Sequence, residues 1–309
     1  MLRLLEARCC QPERAVARLM GDQAEGLRRM QVSDLVRIIS VAGGRAGVGK
    51  TSTVINLAVA LAKNGKHVLV LDENPRHNNV NANLGLKARY DLLHVINRDK
   101  TLEQVILPGP EGISVLTAMR GVHSLSTLGR DDQEWLIKSF GNLSKPVDVV
   151  LVDTAAGCAS HVLSLSLAAQ QVLVVLSATA PSITDAYSLI KVMSQEYAKR
   201  HFLVLVNKVA SEQEACAIFN NISQVARCRL SVTLDFMGCI PIDEKLSRST
   251  QLCRPVVEAF PATVAAIGFR KLADNLLSRP RPADYIGNVE NFMERLIRSS
   301  RLGMANSTF

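Results

Sequence analysis

Residues 35–56, LVRIISVAGGRAGVGKTSTVIN, constrain this chain more than any other stretch. An apolar run from Leu35 to Val41 enters a loop holding Gly43, Gly44, Ala46, Gly47 and Gly49, and Lys50-Thr51-Ser52 then opens a pattern of helical spacing. Gly44 to Thr51 satisfy G-x-x-x-x-G-K-[ST]. Small residues let a backbone wrap an anion with its N–H groups inward, and the start of a helix near Lys50 adds the positive end of its dipole. Lys50 brings a charge to the outer phosphates, and Thr51 offers an oxygen to Mg²⁺. The loop therefore predicts an ATP-type phosphate site over Gly44, Arg45, Ala46, Gly47, Val48, Gly49, Lys50, Thr51 and Ser52. A glycine-rich turn of purely structural use is the competing reading, which the strand-then-helix setting disfavours.

The rest of the chain repeats that setting. Apolar runs at 35–41, 68–71, 113–116, 147–152, 172–176, 202–206 and 236–240 read as buried strands. Helical spacing fills several intervals, among them Thr53–Lys63, Trp135–Phe140, Thr184–Ala198 and Glu212–Arg227. Strands alternating with helices predict an α/β fold, a mainly parallel sheet with helices on both faces and functional loops at the strands' carboxyl ends. At 309 residues, 48% hydrophobic and 21% charged, the chain can bury a core of that size. Its net charge of +8 suggests an acidic partner, a membrane surface or nucleic acid. Seven scattered cysteines without a C-x-x-C pair argue against zinc or a disulfide framework and for a reducing cytosol. No run reaches the ~18 apolar residues of a membrane span. Arg3, Glu6 and Arg8 interrupt the first apolar residues, which do not read as a signal peptide.

Other loops on the carboxyl edge narrow the chemistry. After Val152 comes Asp153-Thr154-Ala155-Ala156-Gly157, where Asp153 is placed to hold Mg²⁺ or its water and Gly157 to approach the terminal phosphate. After Leu71 comes Asp72-Glu73-Asn74-Pro75, and without the glycine loop upstream this would be only a turn. Asn207-Lys208 and Ile240 to Glu244 end two further strands.

The glycine loop resembles the deviant P-loop of the MinD/ParA ATPases, x-K-G-G-x-G-K-T, with Arg45 at the extra lysine and Ala46 at the next glycine. That resemblance implies Mg²⁺ and ATP as cofactors and a homodimer in which Arg45 reaches across to the partner's phosphates. It sets Asp72 and Asn74 on the family's D-x-D-x-G-x-x-N loop, whose second Asp orients the attacking water. An amide hydrogen-bonds water but cannot accept its proton, so slow or impaired hydrolysis is expected. The implied catalytic set is Lys50, Arg45, Asn74 and Asp153; the metal set is Thr51, Asp153 and Asp72. Asn207, Pro241 and Asp243 are the implied adenine contacts.

Within that family the chain is similar, over roughly residues 22–275, to the flagellar-number regulators of the FlhG/FleN branch. DQAEGLRRM, VDTAAG, VNKVASEQEA and the segment from MGCIPIDEKL through RPVVEAFP carry the likeness. It implies that Asp22, Gln23, Ala24, Leu27 and Arg28 dock on the signal-recognition-type GTPase FlhF and stimulate it, with Gln23 presented to its active site. By pattern alone the same stretch reads equally as a helix packing on its own domain.

Three segments are expected: an arm over 1–34, an ATPase domain over 35–278, and a linker with a helix over 279–309. Pro280, Pro282 and Gly287 break the chain, after which Val289, Phe292, Met293, Leu296 and Ile297 share one helical face with Arg295, Arg298 and Arg301 on or near the other. That face suits the inner membrane surface, peripherally and reversibly, or else the protein's own surface. The expectation is an ATP-dependent, membrane-binding dimeric switch that sets flagellar number and placement. Its rivals are a nucleotide-binding adaptor without hydrolysis and a ParA-like DNA-partitioning ATPase. The last lacks a concentrated Lys/Arg run in the core.

Overall fold

Each expected strand exists, and together they form one sheet in a computed structural model that describes residues 36–74, 79–157, 160–280 and 287–305. The strands are β1 (Arg37–Ala42), β2 (Val68–Asp72), β3 (Leu107–Pro108), β4 (Ser114–Thr117), β5 (Val149–Asp153), β6 (Gln171–Ser177), β7 (His201–Val209) and β8 (Thr233–Pro241). Their order is β3-β4-β2-β5-β1-β6-β7-β8, and only β3 is antiparallel. Sequence reading had missed β3, a two-residue edge strand whose Pro108 has no N–H to give. β1 lies inside the sheet between β5 and β6, where the direction of winding reverses. Open α/β sheets bind their ligands at that switch point.

The helices of eight residues or more are α1 (Lys50–Lys63), α2 (Arg130–Gly141), α3 (Ser160–Ala168), α4 (Ala180–Gln195), α5 (Glu212–Leu230), α6 (Glu244–Gln251), α7 (Val264–Ser278) and α8 (Val289–Ala305). Alternate strand residues serve opposite faces, as a period of two requires. Ile39, Val41 and Leu151 pack with Leu57 of α1 and Phe269 of α7. Ile38, Val150 and Val152 turn the other way, onto Leu136 and Phe140 of α2 and Leu165 of α3. Farther along that second face, Val174, Phe202 and Val204 meet Ile190 of α4 and Ile222 of α5. Gln170, just ahead of β6, is buried and its side chain extends the pairing beside β1: its Oε1 accepts from Ile38 N–H at 3.1 Å and its Nε2 donates to the Val36 carbonyl at 2.9 Å.

The end of the chain shows one of the two seats expected for its helix. Val289, Phe292, Met293, Leu296 and Ile297, set out above as a membrane-facing stripe, are all buried in the cluster of Val150, Val152 and Phe140. Their i, i+3, i+4, i+7, i+8 spacing makes a stripe wide enough for a globular interface, and α2 and α3, over the β5 side of the sheet, accept it. Ser299 Oγ, also buried, donates to the Ser164 carbonyl of α3 at 2.8 Å. In this structure residues 289–305 are thus part of the domain, the docking alternative, rather than a free tail. Among the described residues no helix is long and apolar enough to cross a membrane. The partner-binding stretch Asp22 to Arg28 lies outside the described residues.

Candidate nucleotide site

β1 delivers the chain to residues 43–49 at the sheet's carboxyl edge, and α1 leaves from Lys50. Two glycines have geometric reasons. A Cβ on Gly44 would collide with the Asp185 carbonyl of α4, and Gly49 sits at φ +99 with Asn207 Nδ2 where its Cβ would be. The loop is clamped from β7: Asn207 Nδ2 donates to the Val48 carbonyl and Lys208 Nζ to the Gly47 carbonyl, both at 2.8 Å. Lys50 Nζ folds back onto the Arg45 carbonyl at 3.4 Å. With those carbonyls engaged, the loop offers an incoming anion its N–H groups, beside the first turn of α1, which has no side-chain cap.

β5 brings the second component. Thr51 Oγ1 donates to Asp153 Oδ2 at 2.6 Å, and Asn74 Nδ2 donates to Thr51 Oγ1 at 3.3 Å. The other carboxylate oxygen, Asp153 Oδ1, is buried with no hydrogen-bond partner among the described residues. Burial chiefly, and the neighbouring Asp72, push the Asp153 pKa up to about 7 despite the Thr51 bond and Lys50. An orphaned carboxylate oxygen beside a threonine hydroxyl, at the mouth of a phosphate loop, is a fitting donor set for Mg²⁺, which takes one or two protein ligands and completes its shell with phosphate and water. Among the described residues no cluster of three or more His, Cys, Asp or Glu makes a self-sufficient metal cage.

Asp72, expected among the metal ligands, has both oxygens engaged by backbone donors. Its Oδ1 accepts from Asn74 N–H at 2.9 Å and its Oδ2 from Val80 N–H at 2.8 Å, so the carboxylate ties together the two ends of the loop after β2. Desolvation outweighs these bonds and raises its pKa to about 6. Glu73, which sequence reading passed over, is buried behind the cleft with Oε2 3.4 Å from Ala155 N–H. Burial is the main reason its pKa rises to about 8. It braces the loop after β5, whose Gly157 N–H donates to the Gly43 carbonyl at 3.4 Å.

A cleft of about 300 Å³ results, onto which Ala46, Gly47, Gly49, Lys50, Thr51, Ser52 and Asn74 converge as expected. Asn83, Thr154, Ala156 and Thr250 join them unanticipated. Thr154 and Ala156 come with the VDTAAG stretch, whereas Asn83 and Thr250 have no motif of their own. The expected base contacts do not line this cleft, although Asn207 abuts Gly49 at its edge. Asn207 is buried and braces the loop. Asp243 caps α6 through Lys245 N–H at 2.8 Å and accepts from Ala265 N–H at 3.1 Å, while Pro241 closes β8. Arg45 pairs with Asp185 of α4, Nε to Oδ2 3.3 Å, both side chains about two-fifths exposed.

A switch-point loop joining β1 to α1, with lysine, threonine and aspartate converging on it, defines a P-loop nucleotide-binding protein of the doubly wound class. The family described as the CobQ/CobB/MinD/ParA nucleotide binding domain matches residues 39–256, and the chain belongs to it. It is 38% identical to the antiactivator FleN of Pseudomonas aeruginosa over 279 residues, covering 90% of this chain and 100% of that one. It is 26% identical to the flagellum site-determining protein YlxH of Helicobacter pylori, over 79% of this chain and 82% of that one. Among solved structures it resembles the MinD cell division protein of Aquifex aeolicus, with a TM-score of 0.62 and 26% identity over 80% of this chain and 99% of that one.

Proposed function

We propose that this protein is an ATP-responsive switch that helps set flagellar number and placement. The observation that carries the nucleotide half is the meeting of Lys50, Thr51 and the unsatisfied Asp153 Oδ1 at the glycine loop. The flagellar half is supported by the likeness to FleN and YlxH across most of their length. Mg²⁺ and ATP supply the charged phosphoanhydride whose presence or loss the protein reads. Lys50 and the loop N–H groups grip phosphate, Thr51 and Asp153 hold the metal, and Gly157 reports on the terminal phosphate through its contact with Gly43. Two subunits close face to face, with Arg45 leaving Asp185 to reach the partner's phosphates.

Turnover is slow. Asn74 occupies the place from which a carboxylate would direct water, and its amide is spent on Thr51. The same observation favours a second reading, in which the protein binds ATP, dimerises and does not hydrolyse. The arm over residues 22–28 engages an FlhF-type GTPase, and α8 reaches the inner membrane surface in the dimer. Burying five apolar side chains contributes ~2 kcal/mol each, so α8 leaves the domain only if dimerisation loosens its seat.

Comparing mass in solution with Mg²⁺-ADP and with a non-hydrolysable ATP analogue tests the switch. A monomer becoming a dimer with the analogue is expected, and a single mass in both states would sink it. Phosphate release measured against Lys50→Ala separates slow turnover from none.

A further inference from the structure

Asn207-Lys208 closes β7, and the second residue of the pair is built unlike its neighbours. Asn207 pairs with Ile240 and Val209 with Pro241, which are consecutive, so Lys208 is an extra residue in the strand. Its φ of +58 lies in the left-handed region, which a residue with a Cβ enters at a cost. Bulges of this kind re-aim a side chain. Here it crosses to the glycine loop, where Lys208 Nζ donates to the Gly47 carbonyl at 2.8 Å. Lys208 is exposed and does not line the nucleotide cleft. It reaches the loop from outside, so its effect on a ligand passes through the backbone.

A peptide unit is planar and trans, so its C=O and N–H point opposite ways. The Gly47 carbonyl and the Val48 N–H share one unit, and turning that carbonyl out to Lys208 turns the N–H in toward the cleft. The Val48 carbonyl, held by Asn207 Nδ2 at 2.8 Å, does the same for the Gly49 N–H. The two ties differ in how much else supports them. Asn207 is buried and packs against Gly49. Gly47 sits at φ +82, and among the described residues nothing lies within 4 Å of where its Cβ would stand. Packing at Gly47 therefore does not restrain the unit that follows it, and a glycine hinge rotates readily.

We propose that Lys208 is a positioning residue of the phosphate site, selecting the orientation of the Gly47–Val48 peptide that presents the Val48 N–H to the β-phosphate of a bound nucleotide. Its role rests on the nucleotide reading and adds a residue that G-x-x-x-x-G-K-[ST] does not contain. A cation suits the task because its bond to a carbonyl is charge-assisted. A single acceptor asks for no particular head-group shape, so arginine serves as well. The peptide is set before the ligand arrives, so binding does not have to order it.

The test compares the full chain with Lys208→Met, Lys208→Arg and, on the exposed side of α4, Lys191→Ala. Calorimetry gives the affinity for Mg²⁺-ADP, competition against labelled ADP gives that for AMP, and the thermal midpoint without nucleotide reports on the fold. Lys208→Met should weaken Mg²⁺-ADP roughly tenfold, the loss of one charge-assisted hydrogen bond, and leave AMP affinity and the nucleotide-free midpoint as in the parent. Lys208→Arg should recover most of the affinity, and Lys191→Ala should match the parent. The difference should persist at high salt, where the pull of an exposed charge on phosphate is screened. Parent-like ADP affinity in Lys208→Met would overturn the proposal and leave the nucleotide site standing. Equal losses for AMP and ADP would also overturn it, assigning Lys208 to the base or sugar, as would a loss that vanishes at high salt, the mark of a distant charge. A lowered nucleotide-free midpoint in Lys208→Met would make the tie a contact of the fold instead. Absence of ADP binding in the parent would bring down the nucleotide reading, and this role with it.

Discussion

Glu73 shows what a single residue does here that its neighbours in sequence do not announce. Its folded pKa of about 8 lies above its ordinary value of 4.5, so between those pH values the native state holds a proton the unfolded chain has released. Stability from this group is fully present below pH 4.5 and is lost as pH rises through 8. Glu73→Gln keeps an acceptor for Ala155 N–H and removes that dependence. Without nucleotide, the variant should therefore be more stable than the parent at pH 9 by on the order of a few kcal/mol, and equal to it near pH 4.5; denaturant titrations at the two pH values read this directly. Asn74→Asp should raise phosphate release if the absent carboxylate limits turnover, and unchanged release under saturating Mg²⁺-ATP would remove that explanation. Lys50, Thr51 and Asp153 were legible because the chemistry of phosphate fixes their types and spacing. Glu73, Asn83 and Thr250 were not, since they reach the site through tertiary contacts that no local pattern records. Asn207 was ambiguous for a related reason: a strand-end amide is equally able to meet a base or a loop carbonyl, and packing sets its Nδ2 on the Val48 carbonyl.

At the level of elements, the strands could be read almost residue by residue, because strands covered on both faces are continuous apolar runs. α3 escaped notice. Its VLSLSLA alternates apolar and small polar residues with period two, the signature of a strand, yet serine is small enough to sit inside a helix interface: Ser164 and Ser166 are buried there. α8 was legible as a helix, but its partner was not, since one apolar stripe satisfies a bilayer or a protein core alike. Phe292→Ala distinguishes the two. Phe292 is fully buried against α2 and β5, so truncation should cost about 3–5 kcal/mol of unfolding free energy. A membrane-only role would leave stability untouched and change vesicle binding alone.

Across the whole molecule, the Arg45–Asp185 pair couples the glycine loop to α4 within one subunit. Both side chains are substantially exposed, so the pair contributes no more than about 1 kcal/mol. It is weak enough to be exchanged for a partner's phosphates. Asp185→Asn should accordingly favour the ATP-analogue dimer modestly, by at most about thirtyfold in its dissociation constant since one pair is released in each subunit, as sedimentation equilibrium would show; weaker dimerisation would mean that Asp185 itself belongs to the interface. The position of α8 has a further consequence for how the protein comes to exist. β1 and β5 are synthesised long before the helix that completes the cover over Ile38, Val150 and Val152, so on the ribosome the nascent sheet presents an oily flank only partly shielded by α2 and α3 until residues near 297 have emerged. That interval is when a chaperone has most to offer it.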